Sequence, residues 1–309
     1  VQKAKQVAVN IHPIGAVTKK AEGKELSEMY DMRQTGAIAF SDGINPVQNS
    51  GLLLKALQYV KSFNGTIIQI PDDTSIGTNG LMNEGLVSTR MGLPGKPAMA
   101  EELMVARDLK LARYADSKIH FTGISSPKSI EYIKRSKESG IKVSCSITPY
   151  QVYFCDEDLQ QYDTNLKLNP PLRNREEMKA LKNALLDGSI DCIASHHLPQ
   201  HWDNKTCEFE YAKPGMISLE TMFAIMTTIG LPVHDFIKMQ TINIRQLFGL
   251  PVPEIEEGET ACLTLFSPDA EFVFDEQMIR SKSKNSPFIG KKLKGRVWGI
   301  INKTQIQIS

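Results

Sequence analysis

Short apolar runs rich in β-branched residues alternate with longer amphipathic stretches along most of the chain. The apolar runs are typical of buried strands, and the amphipathic stretches are typical of helices that cover a sheet. The predicted strands are 7–15, 36–40, 66–70, 118–123, 142–148 and 191–195. The predicted helices lie near 24–35, 50–63, 97–114, 127–139, 173–187 and 218–228. Six strand–helix units therefore follow one another in the sequence.

This alternation predicts a parallel sheet covered by helices, either a doubly wound sheet or a (β/α)8 barrel. The GxGxxG turn of a dinucleotide-binding fold is absent, and polar clusters instead follow several strands as SDG, PDD, SS, TPYQ and SHH. Barrels place their sites at the carboxyl ends of many strands, so the pattern favours a TIM-like (β/α)8 barrel. Six strands cannot close a barrel of eight. The two remaining strands are expected to come from residues absent from this sequence, such as a removed N-terminal piece, or from another chain.

The pattern changes after about residue 250 to short β-like runs at 262–267 and 272–274, with glycines as turn signals. This texture is typical of a small β unit. The sequence therefore divides into a barrel domain, residues 1–250, and a second small unit, residues 251–309.

Charge and cysteine usage limit the classes of partner and compartment. The chain has 36 Lys and Arg residues and 35 Asp and Glu residues. It therefore lacks the excess of positive charge that is typical of proteins that bind nucleic acid or an anionic membrane. The five cysteines include no CxxC pair, which argues against a disulfide framework and favours the reducing cytoplasm. No apolar run approaches the roughly 18 residues needed to span a bilayer. We expect a cytoplasmic protein with a small-molecule or protein partner.

Five strings occur in one order over nearly the whole chain and together carry a family resemblance. They are PIGAVT (13–18), MNEGLVSTRMGLPGKPAMAEE (82–102), LKLNPPLR (166–173), DGSIDCIAS (187–195) and SKSKNSPFIGKKLKGRV (281–297). The sequence resembles class I dihydroorotases and the related hydantoinases and allantoinases. The resemblance implies a barrel of the metal-dependent hydrolase type, with strands three to eight present, followed by the C-terminal part of a flanking β-sandwich. The first barrel strand of the family, with its His-x-His metal motif and substrate-binding arginine, would lie upstream.

The chemistry of this family implies zinc. One or two Zn²⁺ ions lower the pKa of bound water to about 7 and polarise the carbonyl, while an aspartate after strand eight moves the proton. The ligands are imidazoles and carboxylates from several strand ends. The matching positions in this sequence have lost these groups: Ile70 and Gly123 replace histidines, and Tyr150 and Gln151 replace a His-His pair.

Two carboxylate positions are altered as well. A string of two aspartates before glycine becomes Asp42 and Gly43, and the catalytic aspartate position holds His196. An imidazole can act as a base, but without a metal hydroxide it has no activated water to serve. We therefore predict no metal, no other cofactor and no dihydroorotase activity. We also expect Ile70, Gly123, Tyr150 and His196 to form one cluster at the carboxyl ends of the strands.

The remaining histidines offer little replacement. His120 lies three residues before Gly123, and this odd offset on a strand predicts that it points to the opposite face. We interpret His12 and His120 as polar residues satisfied within strands. A new zinc site from His196, His197, His201 and Cys207 is disfavoured, because neighbouring strand residues face opposite sides.

Parts of the family's substrate pocket are retained. By resemblance, Asn169 contacts substrate near the pyrimidine ring, His197 lies in the pocket, and Gly215 belongs to a loop that closes it. A structural role is the alternative, since Pro170 and Pro171 enforce an extended segment and Gly215 permits a positive φ. Asp72 and Asp73 are open to two interpretations, as remnants of an acidic site or as a turn that begins a helix. The turn is favoured.

Two functions of different classes follow. The first is a non-catalytic dihydroorotase homologue that acts as a structural or regulatory subunit. The resemblance makes aspartate transcarbamoylase the first partner to test, because some bacterial forms of that enzyme are built on inactive dihydroorotase-like chains, and a homo-oligomer is also expected. The second is an active zinc-dependent cyclic amidohydrolase that interconverts N-carbamoyl-aspartate and dihydroorotate, in which an upstream His-x-His pair and His196 make a three-ligand site.

Overall fold

A computed structural model describes residues 7–308 of the chain and contains a six-stranded parallel sheet. Its strands in chain order are β1 (Ile14–Gly15), β2 (Ala39–Phe40), β3 (Thr66–Gln69), β6 (Lys118–Phe121), β7 (Val143–Ile147) and β8 (Cys192–Ile193). Strands β4 (Met82–Asn83) and β5 (Gly95–Lys96) form a separate two-stranded parallel sheet within the long connection after β3. The six strands pair in sequence order, β1-β2-β3-β6-β7-β8, as successive strands of a (β/α)8 barrel do. The predicted fold class is confirmed.

Helices alternate with these strands. They are α1 (Met29–Gln34), α2 (Ser50–Lys61), α3 (Leu86–Met91), α4 (Met99–Ala115), α5 (Pro127–Glu138), α6 (Arg175–Leu186), α7 (Met222–Thr228), α8 (Val233–Lys238) and α9 (Ile244–Phe248). Three of the longer helices have polar N-caps: the side chains of Asn49, Ser126 and Asn174 accept hydrogen bonds from backbone N–H groups in the first turns of α2, α5 and α6. Ser and Asn are preferred N-cap residues, because their side-chain oxygens accept from backbone N–H groups that have no partner within the helix. No helix within residues 7–308 is long and apolar enough to cross a membrane.

The core lies between the sheet and its helices. All residues of β3 and β7 are buried, as expected for central strands covered on both faces. Phe40, Ile67, Ile119 and Phe121 are among the fully buried apolar side chains. Parallel pairing brings the carboxyl ends of the strands to one edge, so the loops after β3, β6, β7 and β8 share one end of the sheet, here called the mouth.

Several predicted boundaries differ from the observed ones. The strand expected at 7–15 is reduced to Ile14–Gly15, so His12 does not lie in a strand. The helix expected near 24–35 begins only at Met29. The two β-like runs at 262–267 and 272–274 belong to one strand, β9 (Cys262–Val273). Pro268 and Asp269 interrupt the apolar pattern, so the sequence predicts two strands. In the structure a register shift in the pairing of β9 with β10 accommodates these residues within one strand.

The C-terminal unit is a three-stranded antiparallel sheet of order β11-β10-β9, which contains β10 (Lys292–Asn302) and β11 (Gln305–Ile308). The segment 275–291 between β9 and β10 leaves this sheet and packs against the mouth. Within it, the Asn285 side chain donates hydrogen bonds to the backbone oxygens of Leu198 and Gly215, each at 3.2 Å. The small sheet is therefore fastened to the loop after β8.

Candidate functional site

Gly123 and His196 adjoin at the centre of the mouth. Gly123 has φ +72°, and a Cβ atom at this position would overlap Cε1 of His196. The imidazole ring of His196 therefore occupies the space into which any side chain at position 123 would project. These two positions, assigned by resemblance to a metal ligand and to the catalytic aspartate, are brought together by the fold.

The His196 ring is held from inside the barrel. Its Nε2 atom lies 2.7 Å from the hydroxyl of Thr122, which accepts a hydrogen bond from Ser146 Oγ at 3.0 Å. Ser146 Oγ lies 3.1 Å from Nε2 of His120, and Nδ1 of His120 lies 2.8 Å from Ser144 Oγ. One chain of hydrogen bonds, here called the interior chain, thus joins the two histidines through the hydroxyl groups of Thr122 and Ser146 and ends at Ser144.

The expectation that His120 points away from the mouth residues was wrong. The offset rule requires a regular strand up to Gly123, but β6 ends at Phe121 and Gly123 adopts a left-handed conformation. His120 and Thr122 face the barrel interior together and both join the interior chain. The interpretation of His120 as a satisfied polar residue is confirmed, because both ring nitrogens have hydroxyl partners.

Burial controls the protonation of this pair. Removal from water lowers the pKa of His120 to about 4 and the pKa of His196 to about 4. Both imidazoles are therefore neutral at pH 7. Each carries one N–H and one acceptor nitrogen, which suits a hydrogen-bond chain between hydroxyl groups.

Asp42 serves the backbone of a neighbouring loop. Its Oδ1 accepts hydrogen bonds from the backbone N–H groups of Val17 and Thr18 at 2.8 and 2.9 Å, and its Oδ2 accepts one from the Thr18 hydroxyl at 2.5 Å. The following residue, Gly43, has φ +65° and no side chain to offer. The buried carboxylate at this family metal position thus closes the loops after β1 and β2 on each other.

The PDD string after β3 forms an ion pair. Asp72 Oδ2 accepts a hydrogen bond from Lys96 Nζ at 2.6 Å and another from Asn169 Nδ2 at 3.2 Å. Lys96 Nζ also donates to Asn169 Oδ1 at 3.1 Å. The preference for a turn holds for Asp73, whose carboxylate accepts from Ser75, but Asp72 belongs to this triangle of side chains. Both polar atoms of the retained asparagine are occupied within the protein.

The side chains at the His-His position turn into the protein. Gln151 Nε2 donates hydrogen bonds to the carbonyl oxygens of Pro170 and Pro171 at 3.1 and 3.4 Å. Tyr150 is buried in the core, and burial raises the pKa of its hydroxyl well above the ordinary value. Gln151 therefore supports the segment that carries Asn169. No described contact joins the side chains of Ile70 and Tyr150 to His196, so the predicted four-residue cluster stays a prediction beyond Gly123 and His196.

His197 and Gly215 have defined local roles. The backbone N–H groups of Ser218 and Leu219 donate to Nδ1 of His197 at 3.2 and 3.3 Å, so this nitrogen acts as an acceptor. Gly215 has φ +126°, and a Cβ atom there would lie 2.7 Å from Cδ2 of Leu198. The geometry supports the structural interpretation of Gly215, since both its conformation and its surroundings require glycine.

A buried arginine joins the loops of the mouth. Arg173 is only 2% exposed and donates to Ser125 Oγ and Asn83 Oδ1, each at 2.9 Å, and to Glu101 Oε2 at 3.4 Å. Glu101 also accepts hydrogen bonds from the backbone N–H groups of Ser125 and Ser126. The strings MNEG, AMAEE and NPPLR each contribute one residue to this polar network, namely Asn83, Glu101 and Arg173. The network therefore holds the loops that contain these strings together.

Sequence reasoning missed Lys96 and Thr122. Lys96 lies 24 residues from Asp72 in a short strand that has no strong β signal, and Thr122 is a common strand residue. Only the position of Thr122 directly after an interior-facing strand could have indicated it.

Zinc does not fit the residues at this mouth. The side chains at Ile70 and Gly123 have no atom that can bind a metal. The Gln151 side chain donates a hydrogen bond to the carbonyl oxygen of Pro170, and the Asp42 carboxylate accepts one from the backbone N–H of Val17. Within residues 7–308, no three His, Cys, Asp or Glu side chains lie together in an arrangement that could hold a metal ion. Nδ1 of His197 accepts hydrogen bonds from the backbone N–H groups of Ser218 and Leu219 and is therefore not available to a metal.

Comparison with known proteins identifies the family of this chain. Residues 2–129 match the dihydro-orotase-like family, and residues 73–297 match the amidohydrolase family. The dihydroorotase of Pelotomaculum thermopropionicum is 39% identical over 300 residues, covering 95% of this chain and 70% of the relative. The dihydroorotase of Acetivibrio thermocellus is 40% identical over 304 residues, covering 96% of this chain and 71% of the relative.

Solved structures show the same fold. L-Hydantoinase (dihydropyrimidinase) from Arthrobacter aurescens superposes with a TM-score of 0.85 at 21% identity, covering 100% of this chain and 74% of the other. D-Hydantoinase from Thermus sp. gives a TM-score of 0.79 at 16% identity, covering 96% and 68%. The family match over residues 73–297, together with the dihydroorotases of 39% and 40% identity, shows that the chain belongs to the amidohydrolase family. Within that family it is dihydroorotase-like, as the sequence resemblance predicted.

Proposed function

We propose that this chain is a catalytically inactive dihydroorotase homologue with a structural or regulatory role in pyrimidine biosynthesis in the cytoplasm. Its membership of a family of dihydroorotases supports the pathway. The proposal of inactivity depends on the mouth, where the groups needed to hold zinc are replaced.

The observation that carries the proposal is the contact of Gly123 with His196. A histidine at position 123 would place its Cβ against Cε1 of the present His196 ring, so the family's histidine at position 123 cannot coexist with His196 in this arrangement. His196 is in turn bound through Nε2 to Thr122, inside the barrel. A base without a metal-activated water cannot open a cyclic amide at a useful rate.

The proposed role is exercised through the surface. A barrel that keeps its core and loses its reaction centre still offers loops and sheet edges to a partner. The sheet ends at β1 and β8, and strand edges with unpaired backbone groups are commonly covered in stable assemblies. We propose a homo-oligomer or a complex with aspartate transcarbamoylase, in which this chain is the scaffold. No nucleic-acid or membrane partner is proposed, because the net charge is only +1.

The experiment uses full-length protein purified alone and mixed with aspartate transcarbamoylase from the same cell. Size-exclusion chromatography with light scattering is expected to show an oligomer or a mixed complex. The interface should bury roughly 1,200 Å² or more. A dihydroorotate hydrolysis assay on the same sample is expected to show no turnover, with a dihydroorotase relative as the positive control. A monomer in both runs would remove the scaffold role, and turnover would favour an active zinc-dependent enzyme.

A further inference from the structure

The hydrogen bonds of the interior chain have a direction. Each hydroxyl group can donate only one hydrogen, and each neutral imidazole has one N–H and one acceptor nitrogen. Burial keeps both imidazoles neutral at pH 7, since it lowers the pKa of each to about 4. Within residues 7–308, the hydroxyl groups of Ser144, Ser146 and Thr122 have no described hydrogen-bond partner outside the interior chain. The chain itself must therefore use their hydrogens, which ties the donor roles of its members to one another.

The contact of Ser146 with Thr122 sets this direction. Ser146 Oγ is the donor to Thr122 Oγ1 at 3.0 Å, so the Thr122 hydrogen is free for Nε2 of His196, 2.7 Å away. Because Ser146 has given its own hydrogen to Thr122, it accepts from Nε2 of His120 at 3.1 Å. Nδ1 of His120 is then an acceptor, and Ser144 donates to it at 2.8 Å. All donors of the interior chain thus point from Ser144 toward the mouth.

The opposite direction would leave an unpaired hydrogen at a buried end. His120 would then donate from Nδ1 to Ser144, and the hydroxyl hydrogen of Ser144, a residue only 5% exposed, would have no described acceptor. In the direction toward the mouth, the hydrogen left over is the Nδ1–H of His196, whose side chain is only partly buried. A donor without a partner costs more free energy where water cannot reach it, so burial favours the direction toward the mouth.

We propose that His196 carries its proton on Nδ1 and that His120 carries its proton on Nε2. Thr122 holds the first tautomer by donating to Nε2 of His196, and Ser146 holds the second by accepting from Nε2 of His120. Thr122 and Ser146 are positioning residues, since they act through the imidazoles. The free ring nitrogen of His196 is then a hydrogen-bond donor, at the position that the family resemblance assigns to an aspartate, which is an acceptor.

The inference deepens the proposed inactivity and rests on it only for its functional meaning. A general base must accept a proton, and the ring nitrogen of His196 that lies outside the interior chain already carries one. The tautomers are properties of the protein without substrate. An incorrect tautomer assignment is therefore distinguishable from an active enzyme, which the turnover assay detects separately.

The experiment is long-range ¹H–¹⁵N correlation NMR at pH 7 on the full-length protein with ¹⁵N-labelled histidine. The spectrum distinguishes the Nδ1–H tautomer from the Nε2–H tautomer of each neutral ring. The variants His120→Gln and His196→Gln assign the signals, because each removes one set. We expect the Nε2–H tautomer for His120 and the Nδ1–H tautomer for His196. Any other assignment of the two rings, including a mixture of tautomers in either, would overturn the proposal.

Ser146→Ala and Ser144→Ala form a matched pair that tests the direction, because each removes one hydroxyl group beside His120. Ser146→Ala removes the acceptor of the Nε2–H group, so we expect His120 to move its proton to Nδ1 and donate to Ser144 instead. Ser144→Ala removes only a donor to Nδ1, so His120 should keep the Nε2–H tautomer. A switch of tautomer in Ser144→Ala, or none in Ser146→Ala, would overturn the proposal. If Ser146→Ala does not fold, the wild-type tautomers and Ser144→Ala decide the matter.

Discussion

Thr122 Oγ1 lies 2.7 Å from Nε2 of His196, so the imidazole at the family's catalytic aspartate position is bonded to the barrel interior. A catalytic base needs its acceptor atom directed at the substrate. Here that nitrogen is directed into the interior chain, which continues through Ser146 to His120. His196 therefore makes a buried contact with Thr122 at the position that the family resemblance assigns to the catalytic aspartate.

Thr122→Val removes the hydroxyl partner and leaves Nε2 of His196 buried without one. We expect the free energy of unfolding to fall by about 1–3 kcal/mol, the cost of an unsatisfied buried polar group. Urea denaturation measures the change. Thr35→Val is the control, because the hydroxyl of that exposed threonine bonds only to its own helix, and it should change stability by less. Equal decreases in the free energy of unfolding in the two variants would show that the interior chain does not contribute specifically to stability.

Stability should fall as pH falls from 7 to 5. His120 and His196 have pKa values lowered to about 4 in the folded state, against about 6.5 when unfolded. The unfolded chain therefore binds protons first, and the stability that is present above pH 6.5 is lost as pH approaches 4. The expected loss is roughly 2 kcal/mol per histidine between pH 7 and pH 5.

Variants isolate this effect from other titrating groups. Burial raises the pKa of Asp108 to about 6, which acts in the opposite direction because folding then favours the protonated carboxyl. His196→Gln should flatten the pH dependence, measured by urea denaturation at each pH, whereas His201→Gln, at an exposed position, should leave it unchanged. A parallel pH profile for His196→Gln and wild type would contradict the account.

Asp42→Ala is expected to destabilise the fold by about 2–4 kcal/mol, since it leaves two backbone N–H groups and a hydroxyl without their charged acceptor. Asp42→Asn keeps one acceptor oxygen and should cost less. Thermal denaturation ranks the two, with Asp31→Asn at an exposed helix position as the control. A structural role also predicts that neither Asp42 variant changes the metal content of purified protein. A loss of bound metal in either one would assign Asp42 to a metal site.

Gly123 and His196 should be energetically coupled. Gly123→Ala introduces a Cβ into the His196 ring at a positive φ, and we expect a loss of more than about 2 kcal/mol. In the His196→Ala background the steric part disappears and only the backbone strain of roughly 1 kcal/mol is left. A double-mutant cycle from urea denaturation gives the coupling directly. Additive effects would mean that the two positions do not touch.

Periodicity predicted most of the frame from the sequence. The alternation of β-branched runs with amphipathic stretches located the six barrel strands, because parallel strands covered by helices are apolar throughout, as β3 and β7 are. The short strands β4 and β5 were missed, since two-residue pairs leave no periodic signal. The strand at 262–273 was predicted as two strands because Pro268 and Asp269 interrupt its apolar pattern, whereas its pairing with β10 continues on both sides of them.

The site was less predictable, for reasons of long-range geometry. The direction of His120 depended on where β6 ends, and that is set by the left-handed Gly123. The partner of Asp72 is Lys96, which only the fold places beside it. The family resemblance assigned metal positions to Ile70, Gly123 and Gln151 by their place in the sequence, but the contacts of these residues could be read only from the structure.

The most direct test of the central claim is the zinc content of the full-length protein after incubation with excess zinc and removal of unbound metal. We predict less than about 0.1 equivalent of zinc per chain, since three or more suitable ligands are needed to hold it. Retention of one or two equivalents, lost together with dihydroorotate hydrolysis on chelation, would contradict the account.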